Sequence, residues 1–485
     1  METEEAKALA RALRRLLDQA HQLIDETRPP SELVARVSGH LGCTVRELVC
    51  VSQTFPVWEH VNLQRGVDAY LGAGADWFGL SGPSRHHNDI VNILAVAERG
   101  QESFELGSVD YTTAAVGPDE TTEVITFGLV RASAPGGEPV VLSLRGPAEQ
   151  FGMEGCRIDV LARDRAAATA TRDEIERLMR ADDLFRGQIL TFGFSEHRGN
   201  KLVTFLPRPV LDPDQVVLPE GVLEAIERHV VGIAEHAGTL VAHGQHVKRG
   251  LLLHGPPGTG KTHTVRYLMG RLPEVTVLLM AGTALRFVSE AAALARRLQP
   301  AIVVLEDVDL VARDRGFSPE GSPLLFTLFD AMDGVVSEAD VTFVLTTNRV
   351  EILEDALANR PGRVDLAIEV PKPDARARRA LLELYSRGLR LEADLEPVVE
   401  RTEGMTASFF KELLRRTVLA ALAENGQVGV LTSAHLDAAL TEMLSAREAL
   451  TRSMLGAGEG SGAGVHEALP MARPGLNVRP PFFRM

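Results

Sequence analysis

Residues 250–262 read GLLLHGPPGTGKT: an apolar run, then the spacing G-x-x-x-x-G-K-[ST] supplied by Gly255, Gly260, Lys261 and Thr262. A strand that stops in such a loop and reopens as a helix aims several backbone N–H groups, and the positive end of the helix, at one point in space. Phosphate oxygens are what that point stabilises. Gly255, Pro256, Pro257, Gly258, Thr259 and Gly260 form the curl, Lys261 reaches the terminal phosphates, Thr262 is placed to ligate magnesium, and His263 follows in the first helical turn. The stretch therefore predicts an α/β core with a P-loop.

Outward from it, apolar strands are expected at 250–254, 275–280, 301–305 and 341–346, alternating with helical stretches. That order of elements builds a parallel sheet with helices on both faces. Residues 301–310, AIVVLEDVDL, end their apolar run in Glu306 and Asp307, with Asp309 following after one intervening residue. The carboxyl ends of strands are where sheets of this kind bind ligands. Phosphoryl transfer needs a carboxylate near magnesium and a second group to orient the attacking water, and these acids stand where both are required.

At this point the chain resembles the AAA family of ATPases, over residues 218–450 or about half its length. The family's strand usually reads proline, apolar residues, then Asp-Glu-x-Asp. Pro300 and Asp309 fix the register, which implies that Glu306 takes the place of the magnesium-associated acid and Asp307 that of the catalytic one. The acids are exchanged rather than shifted, an arrangement similar to that of the mitochondrial Rieske-protein translocase branch. Val344–Arg349 resembles the family's sensor strand, which implies that Asn348 helps hold the attacking water and the γ-phosphate. Leu357–Asp365, LANRPGRVD, is similar to the segment that presents arginine fingers to a neighbouring subunit, at Arg360 and Arg363. Guanidinium groups suit that role because they stay charged and contact two phosphate oxygens at once. Thr402–Ser408 resembles the start of the helical lid, with Ala407 in the place of a glycine near the adenine and Phe409 in the place of an aspartate. No Ile-Gly-Gly precedes the P-loop. The resemblance implies ATP and Mg2+ as cofactors, a hexameric ring, and hydrolysis that moves lid against core to rearrange a protein partner.

The length of 485 residues exceeds one ordinary core. We read residues 1–207 as an α+β accessory domain for partner recognition, 208–370 as linker and large α/β subdomain, 371–450 as a small all-α lid and 451–485 as a flexible tail. Within the first region, residues 4–26 have the spacing of an amphipathic helix, and alternation at 122–127 and 139–144 predicts strands. A net charge of −15 argues against non-specific binding to duplex nucleic acid. Cys43, Cys50 and Cys156 show no CxxC spacing, and no apolar stretch approaches the roughly 18 residues of a spanning helix, so a cytoplasmic protein without a membrane partner is expected. Cys43 and Cys50 read as structural thiols. His86, His87, His243 and His246 read as surface or packing residues.

Two other functions compete with protein remodelling: a nucleic-acid-linked P-loop ATPase and a slow regulatory nucleotide switch. The segment between the second core strand and Pro300 is short, and Phe287 is its one aromatic. Helical spacing turns Phe287 inward, unlike the pore aromatic of threading members of the family. The C-terminal PFFRM also lacks the hydrophobic-Tyr-any ending with which proteasomal ATPases dock their protease.

Overall fold

A computed structural model describes residues 31–82, 85, 88–100, 104–147, 155–193, 203–312, 323–333, 339–351, 363–426 and 429–445, together with Arg14 and Leu16. Most of the helix expected at 4–26, the His86–His87 pair, Arg360 and the tail at 451–485 lie outside these residues. Contacts divide the chain between Pro371 and Lys372.

The first unit holds two sheets. One contains β1 (Val49–Pro56), β2 (Trp77–Leu80), β3 (Leu106–Gly107), β4 (Asp110–Ala115), β5 (Thr121–Ser133), β6 (Pro139–Arg145) and β7 (Gly155–Ala162). Its order is β1-β7-β6-β5-β2-β3, with β4 on β5, and its pairs are antiparallel. Helices α1 (Glu32–Leu41) and α3 (Ile90–Glu98) bury Leu33, Val37, Ile90 and Leu94 on one face. Helices α2 (His60–Leu71) and α4 (Arg165–Ala181) bury Leu63, Val67, Ile175 and Met179 on the other. The two helices meet closely at Gly66, where a Cβ would come within 2.8 Å of Met179 Cβ.

The second sheet contains β8 (Ile189–Phe192), β9 (Val203–Leu206), β10 (Arg249–His254), β11 (Thr276–Ala281), β12 (Ala301–Glu306), β13 (Val341–Thr347) and β14 (Leu366–Glu369), in the order β14-β10-β13-β12-β11-β8-β9. Its strands from β14 to β8 pair in parallel, and β9 returns antiparallel along β8. Strands buried on both faces need apolar side chains at successive positions, which is why this sheet is readable in the sequence. Along β12, Val303 and Leu305 face the cluster of α6 (Val288–Arg297) and α7 (Pro323–Asp333), while Ile302 and Val304 face that of α5 (Lys261–Arg271).

The expected accessory-domain boundary near 208–218 falls downstream of β8 and β9, which are paired into this second sheet. The segment after them is fastened to it by Arg208. Its guanidinium donates to the carbonyls of Met269 and Leu272 at the end of α5, and to those of Gly187 and Val275, at 2.5–3.0 Å. A cation there also complements the negative end of the P-loop helix.

The second unit packs α8 (Ala375–Tyr385), α9 (Glu396–Arg401), α10 (Ala407–Asn425) and α11 (Ser433–Leu444). One short parallel pair, β15 (Leu391–Glu392) with β16 (Leu431–Thr432), accompanies them where an all-helical unit was expected. Asp374 caps α8 by accepting from the Ala377 N–H at 2.7 Å. Ala407 begins α10, and Phe409 is fully buried against Phe410. Among the described residues no helix is long and apolar enough to cross a membrane.

Candidate active site

Between β10 and α5 the backbone enters the left-handed region at Gly255 (φ 139°), Gly258 (φ 77°) and Gly260 (φ 112°). A side chain is also sterically barred at Gly255, where a Cβ would lie 2.3 Å from the Val370 carbonyl. Thr259 closes the curl by donating its hydroxyl to the Pro256 carbonyl at 2.9 Å. The first-turn N–H groups of α5, from Lys261 to His263, have no carbonyl of their own helix to reach and so remain donors for an anion. His263 is held from the side, its Nε2 lying 3.0 Å from the Gln215 carbonyl.

Lys261 is 6% exposed. Its ammonium donates to the carbonyls of Gly255 (2.8 Å) and Pro256 (2.9 Å), and to Asn348 Oδ1 (2.8 Å). Burial holds its pKa below the usual lysine range, and the charges of Asp307 and Asp309 oppose that shift. A buried cation resting on carbonyl dipoles is a fit for phosphate, whose full charge it would meet without further desolvation.

The exchanged acids diverge. Glu306 is half-buried at the end of β12, and burial pushes its carboxyl above the ordinary range, with Thr262 and Arg266 pulling it back and Asp307 adding to the rise. Thr262 and Glu306 are thus the hydroxyl and carboxylate that fit magnesium, a hard cation that takes oxygen ligands. Asp307 is the one non-glycine residue at positive φ among the described residues, at 51°. Its N–H donates to Thr346 Oγ1 at 3.0 Å, and its Oδ1 accepts from Asn348 Nδ2 at 3.1 Å. The left-handed turn sends the two neighbouring carboxylates to different partners. Aspartate is one of the few residues that adopts this backbone readily.

Asp309, used above only to fix register, proves to be the residue that seats the end of β13. It is 3% exposed, and its Oδ1 accepts from the Thr347 hydroxyl and the Asn348 N–H, both at 3.0 Å. The signal in the sequence was its place two residues beyond Asp307. Thr346 and Thr347, by contrast, enter the sequence reading only as part of the Val344–Arg349 stretch, with no role of their own.

Arg363 is placed otherwise than expected. It is not turned outward but is 4% exposed, its Nε donating to Asp333 Oδ1 at 2.8 Å and its Nη2 pairing with Asp333 Oδ2. The path of the chain explains this. Gly250 lies against the Arg363 carbonyl, and Asp365 is clamped to Gly250 by two hydrogen bonds of 2.8 and 2.9 Å.

Residues 251–372 match the family described as "ATPase family associated with various cellular activities (AAA)". The chain carries an AAA ATPase module. Such a module implies ATP and Mg2+ as its ligands and ATP hydrolysis as its chemistry. The module is similar to the ATP-dependent zinc metalloproteases FtsH of Mycobacterium bovis and Mycobacterium tuberculosis, at 32% identity over 257 residues, half of this chain and 33% of theirs. FtsH 1 of Sphaerobacter thermophilus is 32% identical over 267 residues, covering 51% of this chain and 39% of that protein. The chain spans about a third of the length of these relatives.

Proposed function

We propose that this protein is a cytoplasmic, ring-forming AAA ATPase that remodels or assembles a protein partner engaged through its N-terminal region. The observation that carries the catalytic reading is the position of Asn348, bonded at once to Lys261 and to Asp307. One amide then links the phosphate-binding cation to the acid that orients water. Lys261 neutralises the terminal phosphates, Thr262 and Glu306 hold magnesium, and Asp307 with Asn348 positions the nucleophile. When bound, magnesium neutralises charge developing on the phosphate oxygens. Arg360 is the candidate finger for a neighbouring subunit; Arg363 would join it by exchanging Asp333 for phosphate.

Phe287 supports remodelling without processive threading. It ends a 3-10 turn, Gly282–Phe287, and stacks on Phe192 with ring centroids 6.1 Å apart. A concave feature suited to a partner lies instead on the first sheet, a cleft of about 540 Å³ beside His40, Tyr70, Asp76 and Arg131. The test is ATPase rate measured alone, with DNA and with unfolded protein. Stimulation by protein supports the proposal. Stimulation by DNA only would overturn it in favour of a nucleic-acid-linked ATPase.

A further inference from the structure

The accessory sheet is joined to the ATPase sheet by a buried polar knot. Glu59 immediately precedes α2, Asn62 lies in its first turn, Asp183 follows α4, and Arg297 is the last residue of α6. Arg297 Nη2 stands 2.6 Å from Glu59 Oε1 and 2.9 Å from Asp183 Oδ2, and both carboxylate side chains are 2% exposed. Fully buried Asn62 donates its amide to Glu59 Oε2 and Asp183 Oδ1, both at 3.0 Å, and accepts from the Leu184 N–H at 2.8 Å. One guanidinium thus serves two carboxylates. Its approach is off the hydrogen-bonding direction, and its Nε has no partner. Such a pair holds by charge rather than by directed bonds, and it tolerates small displacement.

Aromatic contacts run alongside. Trp58 meets Phe192 edge-on at 5.9 Å, and Phe192 stacks on Phe287, at the entry to α6. Both ends of α6 are therefore tied to this joint. Beyond Arg297, the Gln299 carbonyl accepts from Arg186 Nη1 at 2.8 Å, and Gln299 Oε1 accepts from the Asp340 N–H at 2.9 Å. Gln299 and Asp340 stand at the starts of β12 and β13, whose far ends carry Glu306, Asp307 and Asn348. In a close-packed parallel sheet, strands move as rods, so a shift imposed at one end reaches the other.

We propose that Arg297 is a positioning residue for ATP hydrolysis, coupling the accessory domain to the catalytic ends of β12 and β13. This rests on the ATPase reading above. What the accessory domain binds adjusts α6 through Glu59 and Asp183, and nucleotide binding is felt in return at Trp58. The segment that would form a pore loop in a threading enzyme is thereby committed to holding the accessory domain.

The chain has two tryptophans, so Trp77→Phe leaves Trp58 as the sole reporter at the joint. In that full-length background, ATP with Mg2+ should shift Trp58 emission, and Arg297→Ala should remove the shift while calorimetry still detects ATP. Arg297→Ala should lower kcat about tenfold with KM for ATP within about twofold, and Arg297→Lys should recover most of the loss. Glu59→Gln, which keeps the shape of the joint, should give a smaller fall in kcat, guarding against misfolding of the alanine variant. Trp58 emission indifferent to bound ATP, or wild-type kcat in both Arg297→Ala and Glu59→Gln, would overturn the coupling. Failure of ATP to bind the Trp77→Phe protein would overturn the ATPase reading beneath it.

Discussion

Asn348 Nδ2 donates to Asp307 Oδ1 at 3.1 Å, and this contact is possible because Asp307 turns through left-handed backbone while Asp309 anchors the Asn348 N–H. The exchanged order of the two acids is therefore tied to the local backbone. The residue that must occupy φ 51° is the one that carries the short carboxylate.

Restoring the usual order should accordingly not improve the enzyme. The double variant Glu306→Asp, Asp307→Glu is expected to turn over at least about fivefold more slowly, since glutamate is less suited to this left-handed backbone than aspartate. Steady-state ATPase assays check this. Faster turnover than wild type would mean that the left-handed turn does not constrain the site.

Lys261→Ala should lose nucleotide binding rather than turnover alone, because the main counter-charge to the phosphates disappears. Calorimetry should find affinity weakened by at least about a hundredfold. Retained affinity would contradict the P-loop assignment.

Arg363→Ala should have two separable effects. Its ion pair with Asp333 joins a 3% exposed side chain to a 52% exposed one, so a modest stability loss of about 1–2 kcal/mol is expected. Asp333→Asn should reproduce much of that loss. If Arg363 also serves a neighbour, mixing co-assembled Arg363→Ala and Lys261→Ala chains should restore ATPase that neither shows alone. Absence of rescue would leave Arg363 with the structural role only.

Much of the second sheet is legible in the sequence. Strands β10 to β13 are continuous apolar runs, and the P-loop glycines announce their own backbone. The rest depends on relations between distant residues. Asp307 carries no mark of its positive φ, and Asp333, on another helix, determines where Arg363 lies. Nothing local in the sequence marks Glu59, Asp183 and Arg297 as partners; the fold brings them together. Strands β8 and β9 are short, and their membership of the second sheet depends on the pairing of β8 with β11.

Stability should carry a signature of Glu59. Burial raises its carboxyl above the ordinary range, against the opposing effects of Arg297 and Asn62. A raised carboxylate gives stability that is fully present below its unfolded value and lost as pH rises through its folded value. As pH falls from neutral toward about 5, wild type should therefore gain melting temperature relative to Glu59→Gln. A difference moving the other way would show that the attraction of Arg297 outweighs burial at Glu59.

ATP-driven unfolding of a tagged, stably folded reporter should be weak, because Phe287 stacks on Phe192 instead of standing free. Robust unfolding that disappears in Phe287→Ala would make Phe287 a pore residue.

The most direct measurement compares wild type with Asp307→Asn for ATP affinity and hydrolysis. The substitution keeps the shape and the tolerance for left-handed backbone but removes the charge that orients water. ATP affinity should stay within about threefold while turnover falls at least about a hundredfold. Hydrolysis at the wild-type rate would contradict the assignment of Asp307 as the catalytic acid.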